Sequence, residues 1–117
     1  MGRLSTHVLD TSRGKPAAGL EVCVYACPGQ DRILLKSVTT NIDGRTDEPL
    51  LAGVDFVAGV YELVFSAGDY HRTQGEPVTT PAFLDKVAVR FGVADSAANY
   101  HVPLLLSPYG YSTYRGT

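Results

Sequence analysis

The 117-residue sequence lacks the features of several large protein classes. No apolar run approaches the roughly 20 residues of a membrane-spanning helix, so a membrane partner is not expected. The net charge is −2, without the basic stripe typical of nucleic-acid-binding domains, so a nucleic-acid partner is not expected either. No signal-peptide apolar core opens the sequence, and we therefore expect a cytoplasmic protein.

Recurrent metal-site and catalytic motifs are also missing. The sequence has no Cys/His metal spacing, no Gly-rich phosphate loop and no Gly-x-Ser-x-Gly nucleophile elbow. Cys23 and Cys27 fall four residues apart in one predicted strand, about 13 Å along an extended chain. A disulfide needs Cα atoms within about 7 Å, so we expect two free thiols in a reducing compartment.

What the sequence does contain is apolar and polar residues in alternation, with Gly and Pro between the alternating segments. This pattern predicts an all-β antiparallel β-sandwich of seven to eight strands, in a single domain over residues 1–117. Only residues 80–85 could form a helical turn, with Thr80 as cap and Pro81 in the first position. The strands are predicted at residues 4–9, 20–27, 33–40, 61–66 and 86–93, with two more within 100–114.

Two of the three histidines are candidate site residues. His7 lies in the first strand, on the face opposite Leu4, Thr6 and Val8; a lone strand histidine is more often structural than catalytic. His101 shares a strand face with Pro103 and Leu105. Those apolar neighbours should lower its pKa and keep a neutral imidazole available as a base. Because proline cannot donate to a ladder, Pro103 predicts an edge or bulged strand. We interpret His71 as a loop residue at the surface.

Two arginines complete the candidate set. Arg45 follows an Asp-Gly turn and, taken alone, is interpreted as a surface arginine pairing with Asp47 or Glu48. Arg115 lies in a C-terminal segment whose composition, with Gly116 allowing close backbone approach, indicates a docked tail. Two imidazoles and two arginines suit hydrolysis of a planar, anionic, oxygen-rich substrate. Sequence spacing does not show that they meet, nor which histidine is the base.

Three segments carry a resemblance to a known family. They are residues 4–10 (LSTHVLD) with 14–17 (GKPA), residues 40–45 (TNIDGR), and residues 101–116 (HVPLLLSPYGYSTYRG). Together they are similar to the signatures of the 5-hydroxyisourate hydrolases, the purine-catabolic branch of the transthyretin-like family. The similarity spans the whole chain, and the C-terminal segment is its most specific part. Where the family pattern ends in serine, this sequence has Thr117.

The resemblance implies a transthyretin-like sandwich that assembles as a homotetramer, a dimer of dimers. Its sites would lie in a channel between dimers, with His7, Arg45 and His101 as catalytic residues and Tyr114, Arg115, Gly116 and Thr117 as substrate-binding residues. The implied reaction is water attack on the C6 carbonyl of 5-hydroxyisourate and cleavage of the N1–C6 bond. The product is 2-oxo-4-hydroxy-4-carboxy-5-ureidoimidazoline. No metal or organic cofactor is implied, because the lactam is already activated.

Two other functional classes remain as alternatives. A transthyretin-like carrier would bind small aromatic ligands in the channel without turnover, and its channel should be apolar. The histidine and arginine set argues against that class. A structural or adhesive sandwich module would typically accompany signal peptides or further domains, and the sequence contains neither.

Overall fold

Two β-sheets pack face to face in the computed structural model, which describes residues 1–117. Between strands the chain adds one α-helix, α1 (Ala67–Thr73), and a single 3-10 turn (Gly53–Asp55). No helix has the length and apolar character needed to cross a bilayer. The strands are β1 (Arg3–Asp10), β2 (Lys15–Pro16), β3 (Glu21–Ala26), β4 (Ile33–Thr39), β5 (Leu51–Ala52), β6 (Gly59–Ser66), β7 (Lys86–Val93), β8 (Tyr100–Ser107) and β9 (Gly110–Thr113).

The predicted β-sandwich is confirmed. One sheet has the order β2-β1-β8-β9 with β5 also paired to β1, and the other has the order β4-β3-β6-β7. Seven strands of four or more residues correspond to the seven predicted from alternation, and the two-residue strands β2 and β5 are additional. Every pair is antiparallel except β1 and β8, which run parallel and join opposite ends of the chain.

The expectation of an edge strand around Pro103 is wrong, because β8 lies between β1 and β9. The local reason is that β9 is short. Its pairing with β8 begins at Leu104, opposite Thr113, so Pro103 lies just outside that ladder. A residue without an N–H is tolerated where a strand lacks a partner on one side.

The core lies between the sheets and follows the period-two pattern. In β1, Leu4, Thr6 and Val8 are buried while the residues between them are partly exposed. In β8, Val102 and Leu104 point inward, which leaves His101 on the outer face of the same sheet. The inner faces therefore supply the hydrophobic core of 20 buried residues, and the outer face of the β1–β8 pair is free for chemistry.

The predicted helical turn at residues 80–85 is wrong, and the helix lies at α1 instead. The 80–85 segment consists mostly of bends and contains no helical turn. Gly68 N donates to Asp85 O at 2.9 Å, so this backbone bonds to the helix and not to itself. At Gly68 a Cβ would lie 3.2 Å from Ala82 Cβ, so close packing favours glycine there. A seven-residue helix is too short to show a clear 3.6-residue period in the sequence.

The prediction that His71 is a surface loop residue is also wrong. His71 lies in α1 and is fully buried. Neither of its ring nitrogens has a hydrogen-bond partner within the protein. The burial of His71 was not predicted because α1 has only seven residues. An amphipathic helix of that length is too short to show which of its faces is buried.

Asp10 anchors α1 to the end of β1. Its carboxylate is fully buried and accepts hydrogen bonds from Tyr70 Oη at 2.7 Å and from Ser12 Oγ at 2.7 Å. Burial disfavours ionisation, but the hydrogen bonds from Tyr70, Ser12 and the Arg13 backbone outweigh it and hold the Asp10 pKa below its ordinary value. The same burial, with the Asp10 contact, raises the pKa of Tyr70. The helix is thus tied to β1 by a charged hydrogen-bond cluster.

The variant Tyr70→Phe should lower the free energy of unfolding at pH 7 by about 1–3 kcal/mol, because a buried carboxylate loses a donor. The lowered pKa of Asp10 gives the sign of the pH dependence. Its contribution is complete above the unfolded pKa of about 3.9 and is lost as pH falls through the lower native pKa. Urea unfolding at fixed protein concentration should show a larger difference from wild type at pH 7 than at pH 3.

Tyr25→Phe is the matched control, since the Tyr25 ring packs under Arg32 and not against a carboxylate. A Tyr70→Phe loss that is equal at both pH values would contradict the assigned role of Asp10, as would no loss at all.

Candidate active site

The parallel pairing of β1 with β8 brings the two candidate histidines to one face. Ser5 pairs with His101, and His7 pairs with Pro103 two positions further along. Side chains at alternate positions share a face, so Ser5, His7, His101 and Pro103 all lie on the outer side of the five-stranded sheet. Both imidazoles are partly buried.

The turn that carries Arg45 is docked directly on β1. Val8 N donates to Gly44 O at 2.8 Å, and His7 Nε2 donates to Asp43 O at 2.9 Å. Gly44 has φ +72°, and a Cβ there would lie 2.3 Å from Val8 O, so the turn approaches β1 this closely only with glycine. Asn41 Oδ1 closes the turn by accepting from Asp43 N and Arg45 N.

Arg45 has no carboxylate partner. The interpretation that it pairs with Asp47 or Glu48 is wrong, because all ion pairs of the chain involve other arginines. Asp47 instead accepts a hydrogen bond from Asn41 Nδ2 at 3.0 Å. The exposed guanidinium borders a polar cleft of about 220 Å³, which Arg3 and Ser5 line together with the carboxylates of Asp47 and Glu48. Since neither carboxylate forms an ion pair with Arg45, its guanidinium is free to bind an oxygen-rich group.

His101 is held as a neutral imidazole. Its pKa lies below the ordinary value, first because the ring is partly buried, and then because Arg45 and His7 bring positive charge near it. The only side-chain hydrogen bond to the ring joins Nδ1 to Ser5 Oγ at 2.9 Å, so Nε2 has no protein partner. A neutral imidazole with a free nitrogen beside an unpaired arginine can activate water near an anionic substrate.

The C-terminal segment is docked against His101, as the tail prediction requires. Gly116 N donates to His101 O at 2.7 Å, and the two residues form an isolated β-bridge beyond the end of β9. A Cβ at Gly116 would lie 2.7 Å from His101 Cδ2 and 3.5 Å from Pro103 Cγ. Glycine is needed here because the tail backbone lies directly against the imidazole edge.

The other tail residues are not gathered around His101 within one protomer. Arg115 stacks its guanidinium 4.0 Å from the centre of the Tyr100 ring and donates to Asn99 O at 3.1 Å. Arg115 and Tyr114 line a second cleft of about 450 Å³ with Phe91 of β7. Thr117 is exposed at the chain end. The structure thus brings together His7, Arg45, His101 and Gly116, and places Tyr114 and Arg115 in a separate cleft.

Sequence reasoning missed Ser5. The signal that would identify it is the β1–β8 register, and a parallel pairing between opposite ends of the chain cannot be inferred from alternation alone. No group of three His, Cys, Asp or Glu residues is arranged to hold a metal ion. The groups on this face, imidazole and guanidinium, offer proton transfer combined with charge stabilisation.

Comparison with known proteins gives consistent matches over nearly the whole chain. The HIUase/Transthyretin family model matches residues 4–116. A 5-hydroxyisourate hydrolase of Mesorhizobium japonicum is 64% identical over 116 residues, covering 99% of this chain and 93% of that protein. The solved 5-hydroxyisourate hydrolase of Klebsiella pneumoniae has a TM-score of 0.83 and 31% identity, with each chain covered completely. Sea bream transthyretin in complex with thyroxine has a TM-score of 0.88 and 26% identity, covering 98% of this chain and 95% of that one.

Gly116→Ala should displace the His101 ring or release the tail, because an ideal Cβ would come within 2.7 Å of Cδ2. Histidine-selective NMR should show the His101 ring signals shifted and those of the buried His71 unchanged. Gly110→Ala is the matched control, since its Cβ would meet only Ser107 Oγ, at 3.7 Å. Unchanged His101 signals in Gly116→Ala would show that the tail does not rest on the imidazole.

Proposed function

The chain belongs to the HIUase/transthyretin family, and on that premise we propose that it hydrolyses 5-hydroxyisourate to 2-oxo-4-hydroxy-4-carboxy-5-ureidoimidazoline in urate degradation. It acts as a single domain over residues 1–117. The high identity to a named 5-hydroxyisourate hydrolase supports a hydrolase. The observation that carries the proposal for this chain is that His101 is partly buried and lies close enough to the unpaired Arg45 for the positive charge of Arg45 to lower its pKa.

In the proposed mechanism, His101 Nε2 removes a proton from water as the water oxygen attacks the C6 carbonyl. Arg45, which has no carboxylate to neutralise it, stabilises the negative charge that develops on the carbonyl oxygen. Collapse of the tetrahedral intermediate breaks the N1–C6 bond, and the imidazolium returns its proton to N1. His7 donates from Nε2 to Asp43 O, which ties its ring to the turn that carries Arg45. We assign His7 to orienting the substrate or the water.

The tail residues contribute to substrate binding in the proposed assembly. Gly116 fixes the position of the tail on His101, which supports a role for the tail in shaping the site. Tyr114, Arg115 and Thr117 would complete the channel wall when protomers meet, with Arg115 holding substrate oxygens and Thr117 bonding the ring or the water. The methyl group that distinguishes Thr117 from the serine of the family pattern leaves the hydroxyl available.

A homotetramer, assembled as a dimer of dimers, is the proposed oligomeric state. The tetramer is supported by the edge strands β7 and β9, which line one cleft and so lie on the same side of the sandwich. The unpaired backbone groups of edge strands can pair with a second copy of the chain. Phe83 and Tyr109, on the segments that precede β7 and β9, are 70% and 66% exposed, with ring centres 5.9 Å apart. Exposed aromatic pairs of this kind are typical of protein interfaces.

We propose the cytoplasm as the compartment. The thiols of Cys23 and Cys27 are free, which suits a reducing environment. For the alternative function, a carrier without turnover, no observation on the β1–β8 face offers support. Its cleft has no hydrophobic lining residue, whereas a carrier of aromatic ligands needs an apolar site.

The protein should accelerate the decay of freshly generated 5-hydroxyisourate, followed by ultraviolet absorbance against the spontaneous rate. His101→Asn should lower kcat by about 10²–10⁴-fold, as loss of a general base does. Arg45→Ala should lower it by about 10²–10³-fold, as loss of an oxyanion donor does. Because the pKa of His101 is lowered, the wild-type rate should hold through neutral pH and fall only below about pH 6.5.

Arg72→Ala is the matched arginine control, since Arg72 lies on α1 and pairs with Asp69. A correctly assembled wild type without acceleration would refute the hydrolase. Wild-type rates in His101→Asn or Arg45→Ala would remove that residue from the mechanism.

Assembly gives a separate prediction. Four chains of 12.5 kDa should appear in light scattering as a particle of about 50 kDa. Phe83→Asp places a charge in the proposed interface and should lower the mass toward a dimer or monomer. Val54→Asp, at a residue 83% exposed on the Gly53–Asp55 turn, should leave the mass unchanged. A wild-type mass of one chain would contradict the assembly.

A further inference from the structure

We propose that Ser5 is a positioning residue that holds His101 in the tautomer whose Nε2 is free to accept the proton of water. The inference deepens the proposed function and rests on it. Ser5 is not itself expected to bond the reacting atoms; it acts through the imidazole.

The first support is the strand register. Ser5 and His101 are direct neighbours in the parallel β1–β8 pair, and both side chains face outward. Ser5 Oγ lies 2.9 Å from His101 Nδ1, a normal hydrogen-bond distance. Since both residues belong to regular strands, the contact is fixed by the sheet and not by a loop.

The second support is that the opposite edge of the ring is also fixed. The Gly116 backbone lies so close that a Cβ would be 2.7 Å from His101 Cδ2. The imidazole is therefore held at Nδ1 by a hydroxyl and at Cδ2 by the tail. The edge that remains open is the one with Nε2, which has no partner in the protein.

The third support is the chemistry of the partner. For Nε2 to act as a base, the ring proton must reside on Nδ1, where Ser5 Oγ can accept it. A hydroxyl fixes the ring without adding negative charge, whereas a carboxylate in this position would favour the imidazolium and raise the pKa of His101. His7 has the opposite tautomer. Its Nε2 faces the carbonyl oxygen of Asp43, which can only accept, so the ring proton of His7 lies on Nε2.

The Ser5 hydroxyl also keeps one proton of its own. Ser5 lines the polar cleft that Arg45 borders, so its O–H can donate to water in that cleft while its oxygen accepts from Nδ1. The Ser5 hydroxyl thus links the His101 ring, through two hydrogen bonds, to water in the cleft. Alanine at position 5 would remove both contacts and leave the Nδ1 proton without a partner in a partly buried place.

The test combines Ser5→Ala and Ser5→Thr with two measurements. In ligand-free protein labelled with ¹⁵N-histidine, the nitrogen shifts of the three histidines report the tautomers directly. Wild type and Ser5→Thr should show the His101 proton on Nδ1, and Ser5→Ala should lose that preference. The second measurement is the pH profile of 5-hydroxyisourate hydrolysis, with kcat and KM determined separately.

Ser5→Ala should lower kcat by about 10- to 100-fold with little change in KM, as misplacement of a catalytic group does. The acid limb of its kcat profile should stay where it is in wild type, because the hydroxyl carries no charge and alanine keeps the Ser5 backbone bond that raises the pKa of His101. Ser5→Thr should keep kcat close to that of wild type. Ser107→Ala, which removes a β8 hydroxyl bonded to Gly110 O, should match wild type.

Unchanged His101 nitrogen shifts in Ser5→Ala would overturn the proposal whatever the activity. A rise in KM alone would also overturn it and make Ser5 a substrate contact. If wild type fails to accelerate decay, the proposed function fails, and the nitrogen shifts still decide whether Ser5 sets the tautomer.

Discussion

The parallel pairing of β1 with β8 is the constraint on which the rest of the site depends. It places His101 beside Ser5 and His7 beside Pro103, in a register that puts all four side chains on the outer face. A slip of one residue in either strand would turn its outer side chains toward the core and expose Leu4 or Val102 on the outer face. The hydrophobic core therefore specifies the geometry of the polar face, since the residues between the catalytic candidates are the buried ones.

Two close backbone approaches complete the arrangement. Gly44 lets the Arg45 turn rest on Val8, and Gly116 lets the tail rest on the His101 ring. A side chain would collide with Val8 O at the first position and with the His101 ring at the second. The site is thus assembled from strands joined by the register and from two segments seated on them, and its electrostatics follow from this packing. Partial burial first, and then the positive charges of Arg45 and His7, lower the pKa of His101 and keep its imidazole neutral.

The long strands could be predicted from the sequence, whereas the short helix and the pairing between chain ends could not. Long strands such as Lys86–Val93 were predictable because one face of each is buried. A strand with one buried face alternates apolar and polar residues in its sequence. The helix Ala67–Thr73 was missed because seven residues cannot display a helical period, and His71 was misassigned with it. Arg45 and His101 were identifiable by chemistry and resemblance. Ser5 and the separate cleft of Arg115 were not, since they depend on which strands become neighbours, and pairing between chain ends leaves no local signal.

The central claim is that substrate binds on the β1–β8 face between His101 and Arg45. The most direct measurement is a crystal structure with a stable planar oxopurine, such as urate, bound at saturating concentration. Our account predicts the ring on that face, with its oxygens at the Arg45 guanidinium and one edge toward His101 Nε2. An oxopurine bound only in the cleft lined by Phe91, Tyr100 and Arg115 would contradict it.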